Sequence, residues 1–462
     1  MKLTILRKGE MHMFQRKIYS KILEWKRESD GKTALLIEGA RRVGKSTVAE
    51  EFARNEYKSY ILIDFSKASR EVRELFDDIS DLNYVFLRLQ LIYGTDLHER
   101  DSVIIFDEVQ LCPMARQAIK HLVKDHRYDY IETGSLISIK KNIKDILIPS
   151  EERKISMFPM DYEEFLWAID DTSTSKLLPE VLEKRMSVGD AAHRKLMRDF
   201  RLYMLVGGMP KPIAAYLENN RNFVAADIEK RDILSLYRND IGKADLKYRS
   251  RVSSIFEQIP AFLSLHEKRV RLSNIESHAN YPMYQDTFFW LSNSMMTNEC
   301  FNCNDPNVGL SLNEDRTFIK CYMGDTGLLV SLAFTESEIA EGELYKQILH
   351  DNLSINEGML FENAIAQCLV ANGYKLFFYT HYNEEKHRND IEIDFLISNG
   401  SITKPKIYPI EVKSGKRYTT TSIEKFVTQY RKRVGKAYII HPKNLSVKGD
   451  IICIPSYMTM CL

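Results

Sequence analysis

The feature that most constrains this chain is a glycine-rich stretch near its start, Gly39-Ala40-Arg41-Arg42-Val43-Gly44-Lys45-Ser46. It follows the apolar run Ala34–Ile37 and precedes a helix-forming segment, so a strand, a loop and a helix are predicted in succession. Gly39 and Gly44 permit backbone angles that a side chain would hinder, which lets successive N–H groups point at one anion. The order and spacing therefore predict a phosphate-binding loop.

The lysine and the hydroxyl that end this motif have distinct expected roles. Lys45 is predicted to reach the terminal phosphates of ATP, and Ser46 to ligate the Mg²⁺ ion that accompanies them. The N-terminus of the following helix favours the same negative charge. The residues expected to contact the nucleotide are Gly39, Ala40, Arg41, Arg42, Val43, Gly44, Lys45, Ser46 and Thr47.

Two carboxylates follow a second apolar strand, Ser102–Phe106. Asp107 is expected to hold the Mg²⁺ ion, and Glu108 to orient or activate the attacking water. The alternative is a solvated strand end without a catalytic role. The position of the two carboxylates downstream of a phosphate-binding loop favours the catalytic interpretation.

A third strand, predicted from Tyr130, ends in small polar residues. If it lies beside the Asp107 strand, Thr133 and Ser135 face the γ-phosphate, and Ser135 becomes a candidate catalytic residue that senses hydrolysis. A simple polar turn, favoured by Gly134, explains the same residues equally well.

Composition places the chain among multidomain globular proteins. Its 462 residues suggest about three domains, and 44% apolar with 28% charged residues suffices for packed cores. The sequence has no apolar run of 18 residues and no apolar segment typical of a secretory signal. Seven scattered cysteines are typical of a reducing compartment, so we expect a cytoplasmic protein without a membrane span.

Charge is distributed unevenly along the chain. Residues 401–450 contain twelve Lys or Arg and three Asp or Glu, an excess of nine positive charges, whereas the whole chain has a net charge of +1. A basic C-terminal segment suggests a polyanionic partner such as DNA, and an ordinary solvated surface is the alternative.

Six stretches of the sequence resemble a bacterial and archaeal family of AAA-type ATPases whose C-terminal half is a domain of unknown function. They are Gly39–Ser46, Ile105–Gln110, Thr133–Ser135, Phe158–Leu166, Tyr203–Pro210 and Lys320–Leu328. The family more often has Pro at position 40 and Thr at position 46, and these departures leave the chemistry intact. The family has an arginine that stabilises charge during hydrolysis, but Arg153 is not a secure match for it and is interpreted as a surface residue. The resemblance also makes an oligomer possible.

The resemblance and the helical patterning together divide the chain. An AAA-type P-loop domain is expected at 1–155, a helical lid or connector at 156–248, a winged-helix-like module at 249–335 and a nuclease-like domain at 336–462. The helix around Phe288 would occupy the DNA-reading position, but its aromatic character makes protein contact an equal alternative. Cys300 and Cys303 form a lone CxxC, which ordinary thiols explain better than a metal site.

The last domain contains a second group of candidate site residues. Side chains alternate along strands, so Asp394 on one strand and Glu411 with Lys413 on the next converge if the strands pair, and Glu362 is expected to reach them from a helix. This arrangement resembles the restriction-endonuclease-like nucleases. Asp394 and Glu411 are then candidate Mg²⁺ ligands, and Lys413 stabilises charge on the phosphate. A surface hairpin with ordinary ion pairs is the alternative.

The predicted fold is therefore α/β: a P-loop NTPase with a parallel sheet, a helical and winged-helix segment, and a restriction-endonuclease-like domain. The predicted function is an ATPase that couples its nucleotide state to engagement of DNA or another partner. Two alternatives remain, a nucleotide-switched protein-binding adaptor without nuclease activity and a DNA-cleaving effector of a mobile-element or defence system.

Overall fold

Two β-sheets organise the chain, one in each of the units into which it divides, Met1–Phe158 and Pro159–Leu462. The computed structural model describes residues 13–134, 150–334, 345, 349, 357–385, 387–398, 406–415 and 417–462. Ser135 and part of the basic segment 401–450 lie outside these residues. Among the described residues, no helix combines the length and apolar character needed to cross a membrane.

The first unit alternates strands and helices. In chain order its elements are α1 Ile18–Ser29, β1 Ala34–Gly39, α2 Lys45–Glu56, β2 Ser59–Asp64, α3 Arg70–Glu74, α4 Leu82–Tyr93, β3 Ser102–Asp107, α5 Pro113–Asp125, β4 Asp129–Gly134 and β5 Glu152–Met157. The strands form one parallel sheet in the order β2-β3-β4-β1-β5. The predicted parallel α/β sheet is confirmed.

Alternation along these strands gives the sheet two buried faces, because successive side chains point to opposite sides. On one face, Leu35 and Ile37 pack with Trp25 of α1 and Phe52 of α2. On the other face, strand residues such as Ile61 and Ile104 pack with α4 and α5. The sheet is therefore the middle of three layers, and the ends of its strands remain available for a site.

Strand β5 was not predicted from the sequence. It pairs with β1 along its whole length, from Ala34 opposite Glu152 to Gly39 opposite Met157. Arg116 of α5 reaches both Glu132 of β4 and Glu152, with a nitrogen–oxygen distance of 2.8 Å in each pair. Burial and the neighbouring Glu152 raise the pKa of Glu132. This buried ion-pair group connects β5 to the rest of the sheet.

The second unit begins with helices. They are α6 Tyr162–Ala168, α7 Thr172–Glu183, α8 Asp190–Val206, α9 Pro210–Glu218, α10 Phe223–Ile241, α11 Arg249–Ser264 and α12 Tyr281–Ser294. Asp161 caps α6 with a capping box, since its side chain accepts from the Glu164 N–H and Glu164 reaches back to the Asp161 N–H. The helical pattern predicted for this segment is confirmed.

The remaining elements form and cover an eight-stranded mixed sheet. They are β6 Thr297–Cys303, β7 Glu314–Met323, α13 Thr326–Ala333, α14 Glu357–Ala371, β8 Leu376–Asn383, β9 Arg388–Ser398, β10 Ile407–Val412, α15 Thr421–Gln429, β11 Ala437–His441, β12 Ser446–Lys448 and β13 Ile451–Pro455. The strand order is β12-β13-β11-β10-β9-β8-β6-β7. Strands β9 and β10 pair antiparallel, as the convergence of Asp394 and Glu411 requires.

Strands β6 and β7 pair antiparallel and form a hairpin. Strand β6 also pairs with β8, so the hairpin forms one edge of the eight-stranded sheet. The side chains of the second unit's site are consequently held by a sheet that extends across the segments 249–335 and 336–462.

Candidate functional site

The glycine-rich loop lies between β1 and α2, as its sequence predicts. Gly44, immediately before α2, has a φ of 102°, and Arg42 has a φ of 68°. Both values lie in the left-handed region, which turns successive peptide groups in different directions and shapes an anion-binding hollow. Ala40, Val43 and Lys45 are buried, whereas Arg42 and Thr47 are exposed.

Lys45 lies within this loop and not on the surface. Its Nζ donates to the carbonyl oxygens of Gly39 and Ala40, each at 3.0 Å. Burial lowers the pKa of Lys45 to about 8, and the nearby carboxylates of Glu108 and Asp107 offset only part of this effect. The ammonium is thus desolvated and held where a phosphate can exchange with carbonyl oxygens as its partner.

Asp107 gathers hydroxyl groups from two neighbouring elements. Ser46 Oγ donates to Asp107 Oδ1 at 2.6 Å, and Thr133 Oγ1 donates to the same oxygen. Asp107 ends β3 and Thr133 lies near the end of the adjacent β4, so parallel pairing brings them together. The structure places Ser46, Asp107 and Thr133 in one cluster; Ser135 lies outside the described residues.

Glu108 lies one residue beyond β3 with a φ of 53°, a value uncommon for a residue with a side chain. Its backbone N–H donates to Thr133 Oγ1 at 3.3 Å, and its Oε2 accepts from Gln110 Nε2. The turn directs the Glu108 carboxylate differently from that of Asp107. Gln110 was quoted within the family motif, but no role was predicted for it.

Arg16 is the residue near this site that the sequence analysis missed. It is 7% exposed, its Nη1 donates to the carbonyl of Val43 at 2.9 Å, and its Nη2 donates to the carbonyl of Phe158 at 2.6 Å. A guanidinium presents donors in a rigid planar fork, so it fixes both carbonyls at once. Arg153, by contrast, is exposed and pairs with Glu28 at 2.6 Å, as the interpretation of a surface arginine requires.

A second group of charged residues lies in the second unit, here named the carboxylate–lysine cluster. Its members are Lys268, Lys320, Glu362, Asp394, Glu411 and Lys413. Glu362 on α14 is 1% exposed, yet it contacts Lys268, Lys320 at 3.0 Å and the Tyr322 hydroxyl. Burial alone would raise the pKa of Glu362, but Lys268 and Lys320 outweigh burial and lower it to about 2.

Lys320 connects the two carboxylates that were predicted to act together. Its Nζ lies 3.0 Å from Glu362 Oε1 and 3.4 Å from Asp394 Oδ1. The other oxygen of Asp394 accepts from the Val412 N–H at 2.8 Å. The structure thus brings Glu362 and Asp394 together through a lysine for which no role was predicted.

Glu411 and Lys413 form the other end of the cluster. Lys413 Nζ pairs with Glu411 Oε1, and the Glu411 side chain is only 5% exposed. Burial, together with Asp394, raises the pKa of Glu411 to about 7 despite its pairing with Lys413. A cavity of about 330 Å³ is lined by Glu411, Asp394, Glu392, Lys268 and Lys413, among other residues.

The cysteines form no comparable group. Cys300 and Cys303 of β6 and Cys321 of β7 are buried, and burial raises the pKa of the Cys303 thiol to about 11. Among the described residues, no three His, Cys, Asp or Glu side chains come together as a metal-holding group.

Comparison with protein families divides the chain into three matched segments. Residues 31–166 match the family model described as an AAA domain. Residues 197–338 and 357–458 match two domains of unknown function, DUF8612 and DUF4143. The first match supports an AAA-type ATPase that uses ATP, in agreement with the loop geometry. A search of curated proteins found no match.

Several solved structures also match parts of this chain. The Walker-type ATPase PABY2304 of Pyrococcus abyssi is 19% identical, with a TM-score of 0.40, over 70% of this chain and 96% of that one. PCH-2 of C. elegans is 14% identical, with a TM-score of 0.21, over 35% of this chain and 46% of that one. The STAND protein PH0952 of Pyrococcus horikoshii has a tetratricopeptide repeat sensor. It is 11% identical, with a TM-score of 0.25, over 79% of this chain and 49% of that one.

The two domains of unknown function build one site in this chain. Lys268, Lys320 and Tyr322 come from the segment 197–338, whereas Glu362 and Asp394 come from the segment 357–458. The same two segments share the eight-stranded sheet, through the pairing of β6 with β8. The carboxylate–lysine cluster therefore depends on both segments being folded together.

Proposed function

We propose that this chain is an ATP-binding and ATP-hydrolysing AAA-type ATPase whose nucleotide state controls engagement of DNA, or of a protein partner, by its second unit. The observation that carries the ATPase proposal is the meeting of Ser46, Asp107 and Thr133 beside the buried ammonium of Lys45. A hydroxyl, a carboxylate and a cation at the end of parallel strands suit a triphosphate and its metal ion.

The loop and Lys45 bind the phosphates. Backbone N–H groups of Gly39 to Ser46 face the anion, and Arg41 and Thr47 flank it. The Lys45 ammonium exchanges its contacts with the Gly39 and Ala40 carbonyls for phosphate oxygens. Because the ammonium is already desolvated, each such contact is stronger than it would be in water.

Ser46 and Asp107 fit Mg²⁺, because hydroxyl and carboxylate oxygens are the hard ligands that this ion prefers. The ion, when bound with ATP, neutralises charge that develops on the phosphates. Thr133 holds Asp107 in place from the adjacent strand and is a candidate for sensing the γ-phosphate, in the role also proposed for Ser135.

Glu108 is proposed to hold the attacking water. Its backbone is fixed by Thr133 and its carboxylate by Gln110, so the side chain is oriented before substrate arrives. The carboxylate accepts a proton from water as the water oxygen attacks the γ-phosphorus in line, and the bond from that phosphorus to the β–γ bridging oxygen breaks, so that ADP leaves.

Calorimetry with ATP and Mg²⁺, followed by phosphate release, tests this assignment. Lys45→Ala is expected to weaken ATP binding by roughly 10- to 150-fold, since it removes a charged hydrogen-bond donor. Glu108→Gln is expected to keep ATP binding and to slow turnover roughly 10²- to 10⁴-fold. Arg54→Ala is a matched control on α2, because Arg54 is exposed and forms surface ion pairs with Glu50 and Glu51. Unchanged turnover in both site variants would refute the assignment.

Engagement of DNA by the second unit is supported by charge and by shape. The nine excess positive charges of 401–450 would attract a polyanion, and the cavity beside Asp394, Glu411 and Lys413 offers groups that suit a phosphodiester with a divalent cation. A DNA shift that weakens steeply as salt rises would support this partner, whereas no shift at low salt would favour a protein partner.

Cleavage of DNA is a second candidate function, favoured by the buried carboxylate of Glu411, which lines the cavity beside Asp394 and Lys413. Asp394 and Glu411 would then hold the ion, Lys413 would stabilise the phosphate charge, and Glu362 would support them. A nuclease assay with Mg²⁺ or Mn²⁺ compares the wild type with Asp394→Ala. If the wild type cuts DNA and Asp394→Ala does not, cleavage is supported. If the wild type does not cut, the alternative of a nucleotide-switched binding protein is favoured.

A further inference from the structure

The nucleotide loop is tied to the last residue of the first unit by one buried side chain. Arg16 donates to Val43 of the loop at 2.9 Å and to Phe158 at 2.6 Å. Both acceptors are backbone carbonyls, so the guanidinium fixes main chain and not only side chains. A displacement of the loop at Val43 therefore changes a hydrogen bond to Phe158.

A second contact joins the same two segments. Gly39 pairs with Met157 across β1 and β5, and a Cβ at Gly39 would lie only 2.4 Å from the Met157 carbonyl oxygen. This spacing, closer than real Cβ contacts, requires glycine at the first position of the loop. The start of the loop and the end of β5 are consequently in direct backbone contact.

The second unit is anchored almost as soon as it begins. Met160 is fully buried, its N–H donates to the Gly208 carbonyl at 2.7 Å, and its carbonyl accepts from the Tyr203 hydroxyl at 3.0 Å. Only Pro159 separates this anchored residue from Phe158. Proline fixes its own φ and restricts the preceding residue to extended backbone, so few backbone torsions lie between these two residues.

We infer that Arg16 is a positioning residue that transmits the state of the nucleotide loop, through Phe158 and Pro159, to the first residues of the second unit. This inference rests on the proposed ATPase function and names the route of its coupling. ATP draws the loop N–H groups toward its phosphates and so resets the Val43 carbonyl that Arg16 holds. The short Phe158–Pro159 connection carries that change to the Met160 hydrogen bond.

Hydrogen exchange at the Met160 amide, with and without a non-hydrolysable ATP analogue and Mg²⁺, measures this coupling in the full chain. In the wild type the analogue is expected to change the exchange rate at least about fivefold, the lower range for coupled sites. Arg16→Gln is expected to bind the analogue within about tenfold of the wild type while losing that change. Arg153→Gln is the matched control, since Arg153 is an exposed arginine of β5 and should leave the change intact.

A second variant covers the case in which Arg16→Gln does not fold. Insertion of Gly-Gly between Phe158 and Pro159 leaves Arg16 and the loop in place but adds slack to this connection. It is expected to bind the analogue normally and to lose the response at Met160. A response that persists in the insertion variant, or a wild type that binds the analogue without any change at Met160, overturns the inference and leaves the ATPase proposal standing. A wild type that fails to bind ATP overturns both.

Discussion

The nucleotide loop and the carboxylate–lysine cluster use the same residue types in opposite ways. At the loop, Lys45 contacts backbone carbonyls while Asp107 accepts from hydroxyl groups, so the cation and the carboxylate are not paired with each other. In the cluster, Glu362 and Asp394 share Lys320, and Glu411 pairs with Lys413. A site that leaves its charges unpaired is prepared for an external ligand, whereas a cluster that pairs them internally stabilises the fold as well.

The largest expected effect comes from removing the lysine at the centre of the cluster. Lys320→Met leaves the Asp394 carboxylate without its ammonium partner and Glu362 with one fewer, and breaking a buried pair in this way costs about 3–5 kcal/mol. We expect this loss in the free energy of unfolding of the second unit, measured by urea denaturation at pH 7, with ATP affinity unchanged.

Lys375→Met is the matched control for that variant. Lys375 pairs with Glu314 of the same sheet but is 51% exposed, so its loss should cost no more than about 1 kcal/mol. The pairing of Glu362 should also make the free energy of unfolding decrease in acid, because the pKa of Glu362 is lowered in the folded protein. Its contribution is complete above pH 4.5 and is lost as the pH falls toward 2. Equal losses in Lys320→Met and Lys375→Met would show that the buried pairs of Lys320 contribute no more to stability than an exposed ion pair does.

A smaller effect concerns the pH dependence of ATP binding. The pKa of Lys45 is lowered to about 8 by burial, so the unliganded protein loses this charge between pH 7 and 9. Because the phosphates favour the ammonium form, ATP affinity should fall about tenfold over this range. Calorimetry in buffers of different ionisation enthalpy should also show proton uptake on binding above pH 8. An ATP affinity that stays constant from pH 7 to 9 would show that the Lys45 ammonium does not contact the phosphates.

The smallest effect sharpens the comparison at the cluster. The pKa of Glu411 is raised to about 7, chiefly by burial, so the fraction of ionised carboxylate grows about threefold from pH 6.5 to 7.5. If Glu411 ligates a divalent cation, Mn²⁺ affinity measured by electron paramagnetic resonance should rise by the same factor. Glu411→Gln should abolish the rise, and a rise that survives this substitution would place the cation elsewhere.

Local motifs were predicted from the sequence because their chemistry lies within a few residues. The spacing of residues alone predicts the loop from Gly39 to Ser46 and the strand that ends at Asp107. Strand β5 was missed because Glu152–Met157 is short and polar, and its pairing partner β1 lies more than 100 residues away. Residues whose partners are distant, above all Arg16 with Phe158, could not be recognised from local pattern.

The cluster shows the same limit. Glu362, Asp394, Glu411 and Lys413 were named because strand alternation places them on common faces. Lys320 lies in a recognised motif, but its ammonium reaches carboxylates 42 and 74 positions further along the chain. Such contacts depend on the register of β7, β6, β8 and β9, which side-chain periodicity does not determine.

The pairing of β6 with β8 has a consequence for synthesis of the chain. When the β6–β7 hairpin leaves the ribosome, the edge that β8 will cover still exposes unpaired N–H and C=O groups. Roughly 60 further residues must be added before β8 is complete, which takes about 3–12 s at typical bacterial and eukaryotic elongation rates. During that interval the nascent hairpin is a template for pairing with other chains, so the yield of native protein should be sensitive to translation speed and to chaperones that shield strand edges.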